Sequence, residues 1–537
     1  PDTHLPLPAT TRVSITSPSF VSGVEWYGCD WMSPIVRTRH GAESAIDPIL
    51  HVSAAILHHM EATRPYSWVM KQGPKIVVVG AGSYFFGRPV IWNTVNSPVL
   101  RGGTLTLVDT KPGVLETMRS IAERAVEATG SPTRIEATTD RAEALKDADF
   151  VVLTFSDRNA HFRGVDCEIS LKHGIRMCSG DTIGPGGVFR ALREIPVALD
   201  IARDVERIAP EAWVINFVNP ATVLGIALDR YAPNVRSFAI CDGPHEPWNR
   251  LKLLKRLEIV PGDATSMPAE VEQKLDMRIV GVNHFTWITR LAYDGTDYLP
   301  RWREVLASDA KSEREATESA EGGSDNNAAA KRRFNAAYAL ELMDIFGAYP
   351  DRIAHTKEYV PFFQGYGAGR VDPEPITVFD AEDRQEKMNA FWKENEAYAA
   401  GKKPIDDFLA TGKPDHATDI IESMWGDLGK RFFVNTRNDG AVPNVADDAI
   451  LELRSDMDMG GINPRYAGEM PRGILGMTRQ VLDTHELTAQ AGATYDRDVL
   501  LRALCTDPIV NNITDARAVM HDLLEAERDV LRDEWYR

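Results

Sequence analysis

Apolar residues come in short unbroken runs along the middle of this chain, and those runs predict its fold. Four follow Lys75 (Ile76, Val77, Val78, Val79) before Gly80 breaks the run. Comparable runs lead into Asp109 and fill Asp149–Phe155 and Ala212–Phe217. A run without polar alternation is buried on both faces, as a parallel strand between helices is. The pattern predicts strands at 75–80, 104–109, 149–155 and 213–217, with helices at about 112–129 and 187–208. That rhythm of β and α segments builds a doubly wound α/β sheet.

Either side of this core the pattern loosens. Residues 1–73 read as an appended arm, with helical spacing from Ile46 to Met60. His58 and His59 lie within it, but adjacent helical residues diverge by about 100° and do not share one ion readily. Past residue 240 the pattern is mixed α/β, through to the C-terminus. Residues 308–332 are polar and predict an exposed, partly mobile insertion, and Thr514–Trp535 predicts a closing amphipathic helix. The expected organisation is an extension (1–73), a Rossmann-like nucleotide-binding domain (74–240) and a mixed α/β domain (241–537) for catalysis and oligomerisation.

Composition narrows the function classes. A net charge of −18 over 537 residues argues against nucleic acid and anionic membranes as partners. No apolar run approaches membrane-spanning length, no signal-peptide pattern opens the chain, and the five scattered cysteines suit reduced thiols, so the cytoplasm is the expected compartment.

Five constellations carry candidate chemistry. Gly80-Ala-Gly82-Ser83-Tyr84-Phe85, at the end of the first strand, reads as a dinucleotide loop in which Phe85 stands where a third glycine is usual. Asp109, ending the next strand, can accept both ribose hydroxyls and repel a 2′-phosphate, which favours NAD. An ordinary βα turn is the alternative. Gly180-Asp181-Thr182, followed by Gly184, Gly186 and Gly187 before a helix, offers Asp181 to sugar hydroxyls or is a packing loop. Asn219-Pro220 ends a strand, where ligands gather, though a simple turn has the same sequence. Cys241 and His284 supply the thiolate and imidazole that suit a borderline divalent ion, or are structural. Asp351, His355, Glu358 and Tyr359 fall at helical spacing, which fits either one reactive face or a solvated one.

Taken in order, these segments resemble glycoside hydrolase family 4, the NAD- and divalent-metal-dependent glycosidases. The resemblance runs from Lys75 to the C-terminus. It includes Arg158, Asn435-Thr-Arg-Asn438-Asp-Gly440 with Asn444, and Leu504-Cys-Thr-Asp-Pro508. It implies a fold like that of lactate and malate dehydrogenases, with NAD at the glycine loop and Mn2+ on Cys241 and His284. It also implies hydrolysis by oxidation at C3 of the sugar, loss of the C2 proton, elimination, water addition and re-reduction. By the same resemblance Asp242 is the acid, Asp351 the base with Tyr359 and His355 behind it, and Arg158, Asp181, Asn219 and His355 contact the substrate. The segment 355–361 and the Gly-Asp-Thr form look like the α-galactosidase-type branch, whose members act on unphosphorylated sugars, which leaves α-galactosides, α-glucosides or α-glucuronides as the expected substrates. Two departures stand out: Ile353 occupies the position of a tyrosine base, and Cys241-Asp242 replaces a Cys-His pair. Members of the family are homodimers or homotetramers. A plain sugar or hydroxy-acid dehydrogenase is the competing enzyme, and a nucleotide-sensing binding protein the non-enzymatic alternative.

Overall fold

The computed structural model describes residues 73–241, 247–318, 334–365, 376–410 and 416–537, all within the unit Lys71–Arg537. The predicted arm, with its helix and His58-His59, lies outside the described residues, as does Asp242.

The four predicted strands form where the apolar runs place them: β1 (Lys75–Val79), β2 (Thr104–Val108), β4 (Phe150–Leu153) and β5 (Trp213–Asn216). Two strands that were not predicted join them, β3 (Arg134–Thr138) and β6 (Arg236–Ala239). They pair in parallel in the order 3-2-1-4-5-6, so the chain reverses direction across the sheet between β1 and β4. Alternate residues feed two apolar layers. Ile76, Val78, Leu105 and Val152 pack against α1 (Gly87–Asn96) and α2 (Pro112–Thr129). Val77, Val79, Val151 and Val214 pack against α3 (Gly184–Ile208) and α4 (Ala221–Tyr231). This two-sided burial is why the runs lack polar alternation.

A second, antiparallel sheet joins β7 (Leu275–Val282), β8 (Phe285–Tyr293), β9 (Thr296–Asp297) and β10 (Tyr349–Pro350). Val282 faces Phe285, leaving Asn283-His284 as a two-residue hairpin turn. His284 takes a φ of 66°, a left-handed conformation that histidine adopts more readily than most residues other than glycine. Three late strands, β11 (Arg431–Arg437), β12 (Ile450–Asp458) and β13 (Gly461–Pro464), then extend the first sheet antiparallel from β6.

Several expectations are corrected. The polar stretch from residue 308 begins inside α5 (Leu299–Glu318), whose Trp302, Leu306 and Ala310 are buried at helical spacing while the polar residues face outward. Residues 319–333 of that stretch lie outside the described set. Asp351 precedes its helix, α6 (Ile353–Tyr359), rather than sharing a helical face with Tyr359. The later helix α7 (Ala381–Ala399) crosses the glycine loop. The closing helix, α8 (Ile513–Ala526), is shorter than predicted. The chain turns at Glu527, whose buried carboxylate reaches Arg193 at 2.5 Å, and ends in a short 3-10 turn around buried Trp535.

Candidate active site

The glycine loop is fixed from both sides at the C-terminal edge of the parallel sheet. Gly80 and Ala81 donate their amides to the Val108 carbonyl at 2.9 and 3.0 Å. Gly80 has a φ of +94°, and a Cβ there would lie 2.6 Å from the Phe155 amide nitrogen, so a side chain is excluded. Asp109 accepts from the Gly82 amide through one oxygen and the Lys111 amide through the other, each at 3.0 Å. A Cβ on Gly87 would meet the Ala81 carbonyl at 2.6 Å. Gly87 thus provides the close helix–loop packing usually served by the third glycine, which leaves Phe85 52% exposed. Ser83 caps the Phe86 amide at 3.4 Å, and Tyr84 packs on Phe391 of α7 with ring centres 4.8 Å apart.

Further along the same edge, Cys241 follows β6. Its Sγ stands 3.1 Å from His284 Nε2, bringing together two residues 43 positions apart. Buried polar side chains close that gap. Asn435 of β11 donates to the Ala239 carbonyl at 3.2 Å and accepts from Thr222 Oγ1 at 2.8 Å. Thr222 in turn accepts from the Asn283 amide at 3.1 Å, so the hairpin turn is tied to the end of β6. On the other side of the ring, His284 Nδ1 lies 3.4 Å from Thr182 Oγ1, a contact that orients the imidazole.

Asp181 and His355 complete this cluster. One ligand atom from each of Asp181, His284 and His355 lies within 4.8 Å of the others, and the two imidazoles stack with centres 4.0 Å apart at 9°. Asp181 is buried between Arg163 (3.6 Å) and Arg190 (3.5 Å) and accepts from Ser179 Oγ at 2.5 Å. Burial works against its charge, but Arg163, with His284 and Arg190, holds its carboxyl well below the usual range. Burial, reinforced by His355, pushes the His284 imidazole well below its ordinary value, leaving it a neutral donor. A neutral His284 imidazole and an ionised Asp181 carboxylate, with the Cys241 thiol beside that imidazole, are donors a borderline divalent cation takes. The loop carrying Asp181 is held by Glu358, which accepts from the Ser179 and Gly180 amides at 2.6 and 3.2 Å.

The other predicted residues are placed unequally. Asp351 is buried, and its amide donates to the Thr286 carbonyl at 3.1 Å, two residues past His284. Tyr359 is also buried, but its hydroxyl donates to the Asn283 carbonyl at 3.1 Å and its ring stacks on Phe285. Burial raises its pKa well above the ordinary value. Its hydrogen bond and ring stacking support the hairpin turn that carries His284. His355, expected at the substrate, stands within the cation cluster. Arg158 pairs through its guanidinium with Asp157 at 3.1 Å and Asp529 at 2.8 Å on the surface. Asn219 uses Oδ1 locally, accepting from the Ala221 amide at 3.2 Å. Sequence reasoning did not single out Arg163 or Arg190. The signal for Arg190 was a charged residue inside the apolar stretch Val188-Phe-Arg-Ala-Leu192.

Residues 75–254 match family 4 glycosyl hydrolase, and residues 279–510 match the C-terminal domain of the same family. An alpha-galacturonidase of Bacillus subtilis (strain 168) is 29% identical over 460 residues, covering 84% of this chain and 97% of that protein. An alpha-galactosidase of the same strain is 27% identical over 469 residues, covering 85% and 99%. In fold, the chain is similar to a 6-phospho-alpha-glucosidase from gut microorganisms solved with NAD and Mn2+. Its TM-score is 0.67 at 21% identity, with 86% of this chain and 99% of that one covered. The matched segments span both the glycine loop and the Cys241–His284 cluster, and this chain is a member of glycoside hydrolase family 4.

Proposed function

We propose that the chain hydrolyses α-linked O-glycosides of unphosphorylated hexoses, with NAD at the glycine loop and a divalent cation, Mn2+, on Cys241 and His284. The observation that carries this reading is the 3.1 Å approach of Cys241 Sγ to His284 Nε2, at the sheet edge that also bears the glycine loop. The relatives named alpha-galacturonidase and alpha-galactosidase support the α linkage. When bound, the two groups supply hydride exchange and Lewis-acid polarisation.

The protein's own residues have the remaining work. The Gly80–Phe85 loop seats the pyrophosphate, and the Asp109 oxygens, each with a second acceptor site, take the ribose hydroxyls. Asp181, fixed by Arg163 and Arg190, and His355 flank the cation and the sugar. Asp351 removes the proton from C2, and Asp242, next to Cys241 in sequence, gives one to the departing glycosidic oxygen. Asn219 and Tyr359 shape the turns on either side. A thiolate ligand needs reducing surroundings, which fits a cytoplasmic enzyme. A homodimer or homotetramer is proposed on family grounds.

A panel of para-nitrophenyl α- and β-glycosides, assayed with and without NAD, Mn2+ and a thiol reductant, tests the reading. Aglycone release should require all three additions, with no net reduced cofactor and with solvent deuterium appearing at C2 of the product. Stoichiometric accumulation of reduced cofactor would instead make the chain a dehydrogenase.

A further inference from the structure

Most charged groups around the cluster are matched. Arg163 is taken up by Ser179 and Asp181, and Glu358 by two backbone amides. Arg352 is the least matched of them. It precedes α6, and its carbonyl accepts from the His355 and Thr356 amides at 2.8 Å each, which fixes it between Asp351 and the helix bearing His355. Its Nε and Nη2 are shut off from solvent without a hydrogen-bond partner. Among the described residues no other arginine leaves two buried nitrogens unmatched. Arg190, only 7% exposed, leaves its Nε in the same condition. Both lie beside the cluster: Arg190 reaches Asp181 at 3.5 Å, and Arg352 stands between Asp351 and the helix turn that carries His355.

Buried donors of this kind are costly unless a partner arrives. Nε and Nη2 lie along one edge of the guanidinium, the fork that grips a carboxylate through two parallel hydrogen bonds. A phosphate monoester presents three terminal oxygens in a tetrahedron, and a single planar edge leaves part of it unmatched. A neutral hydroxymethyl group leaves the positive charge uncompensated.

We propose that Arg352, with Arg190 as a second cation, binds the carboxylate of a hexuronic acid, making this a site for α-linked uronides over neutral or phosphorylated hexosides. The inference rests on the glycosidase reading above. Neighbouring chain positions then reach two sides of one sugar ring: Asp351 with its short carboxylate, Arg352 with its long guanidinium.

Calorimetry on the full chain with NAD and Mn2+ measures binding of galacturonate, galactose and galactose 6-phosphate. Parallel assays give kcat/KM for para-nitrophenyl α-galacturonide and α-galactoside. Galacturonate should bind tightest, and Arg352→Gln should weaken it by about 30- to 100-fold. Arg352→Lys, which keeps the charge and loses the fork, should lose most of that preference; circular dichroism checks that both variants fold. A wild type that favours galactose or galactose 6-phosphate, or folded variants that retain the preference for galacturonate, would overturn the proposal. If no glycoside is hydrolysed while galacturonate binding still depends on Arg352, the glycosidase reading fails and the carboxylate subsite stands.

Discussion

Single residues at the cluster differ in what they do, and substitutions separate them. Cys241→Ser exchanges a soft thiolate for a weakly acidic hydroxyl, so Mn2+ affinity should fall at least about tenfold. Calorimetry should show that loss with NAD binding retained. His485 gives a test of burial. It is enclosed near the Tyr359 ring, with the Thr182 backbone as its hydrogen-bonding neighbour. Burial lowers its pKa to about 4. Below the unfolded value near 6.5 the unfolded chain takes up a proton that the folded chain refuses, so stability falls as pH drops from about 6.5 to 4. The loss approaches about 3 kcal/mol. Denaturant unfolding across that range should show the slope, and His485→Phe should flatten it.

Among the elements, the β7–β8 hairpin matters most for chemistry because its turn carries His284. Its position depends on β11, through Asn435, Thr222 and Asn283. Asn435→Ala touches no ligand but releases the tie to the end of β6. Mn2+ affinity should fall by about 10- to 100-fold, as for other groups that orient a ligand at one remove. An unchanged affinity would show that the hairpin holds its own register. The helix α7 acts at the other end of the crevice, where Arg88 reaches Glu394 at 2.7 Å and Asn395 at 2.6 Å and draws α7 against the glycine loop.

At the scale of the whole molecule, the C-terminal segment is fastened to the nucleotide-binding core by a buried ion triad. Arg193 of α3 donates to Asp166 at 2.8 Å and to Glu527 at 2.5 Å, and both carboxylates are fully enclosed. Arg193→Met would strand two buried acids side by side. The expected cost is about 3–5 kcal/mol in urea unfolding, greatest at high pH where both acids ionise. No helix among the described residues is long and apolar enough to cross a membrane.

What the sequence determined was whatever is encoded locally. Unbroken apolar runs gave β1, β2, β4 and β5, because two-sided burial writes itself into consecutive residues. The turn residues Gly80, Gly82 and Asp109 marked the first βα corner, and Pro112 opened α2 at the predicted residue. The strands β11–β13 were less visible: Arg431 and Arg437 bound β11, and β12 buries Glu452 and Ser455, so neither reads as an apolar run. Only the tertiary structure decided that Cys241 and His284 meet, that the Tyr359 hydroxyl binds the Asn283 carbonyl, and that Arg158 pairs with Asp529 at the surface. It also decided that Arg163, Arg190 and Arg352 surround one cluster. An arginine inside a helix looks the same in sequence whether it is solvated or buried. Which of the two it is depends on what the fold packs against it, through contacts no local pattern records.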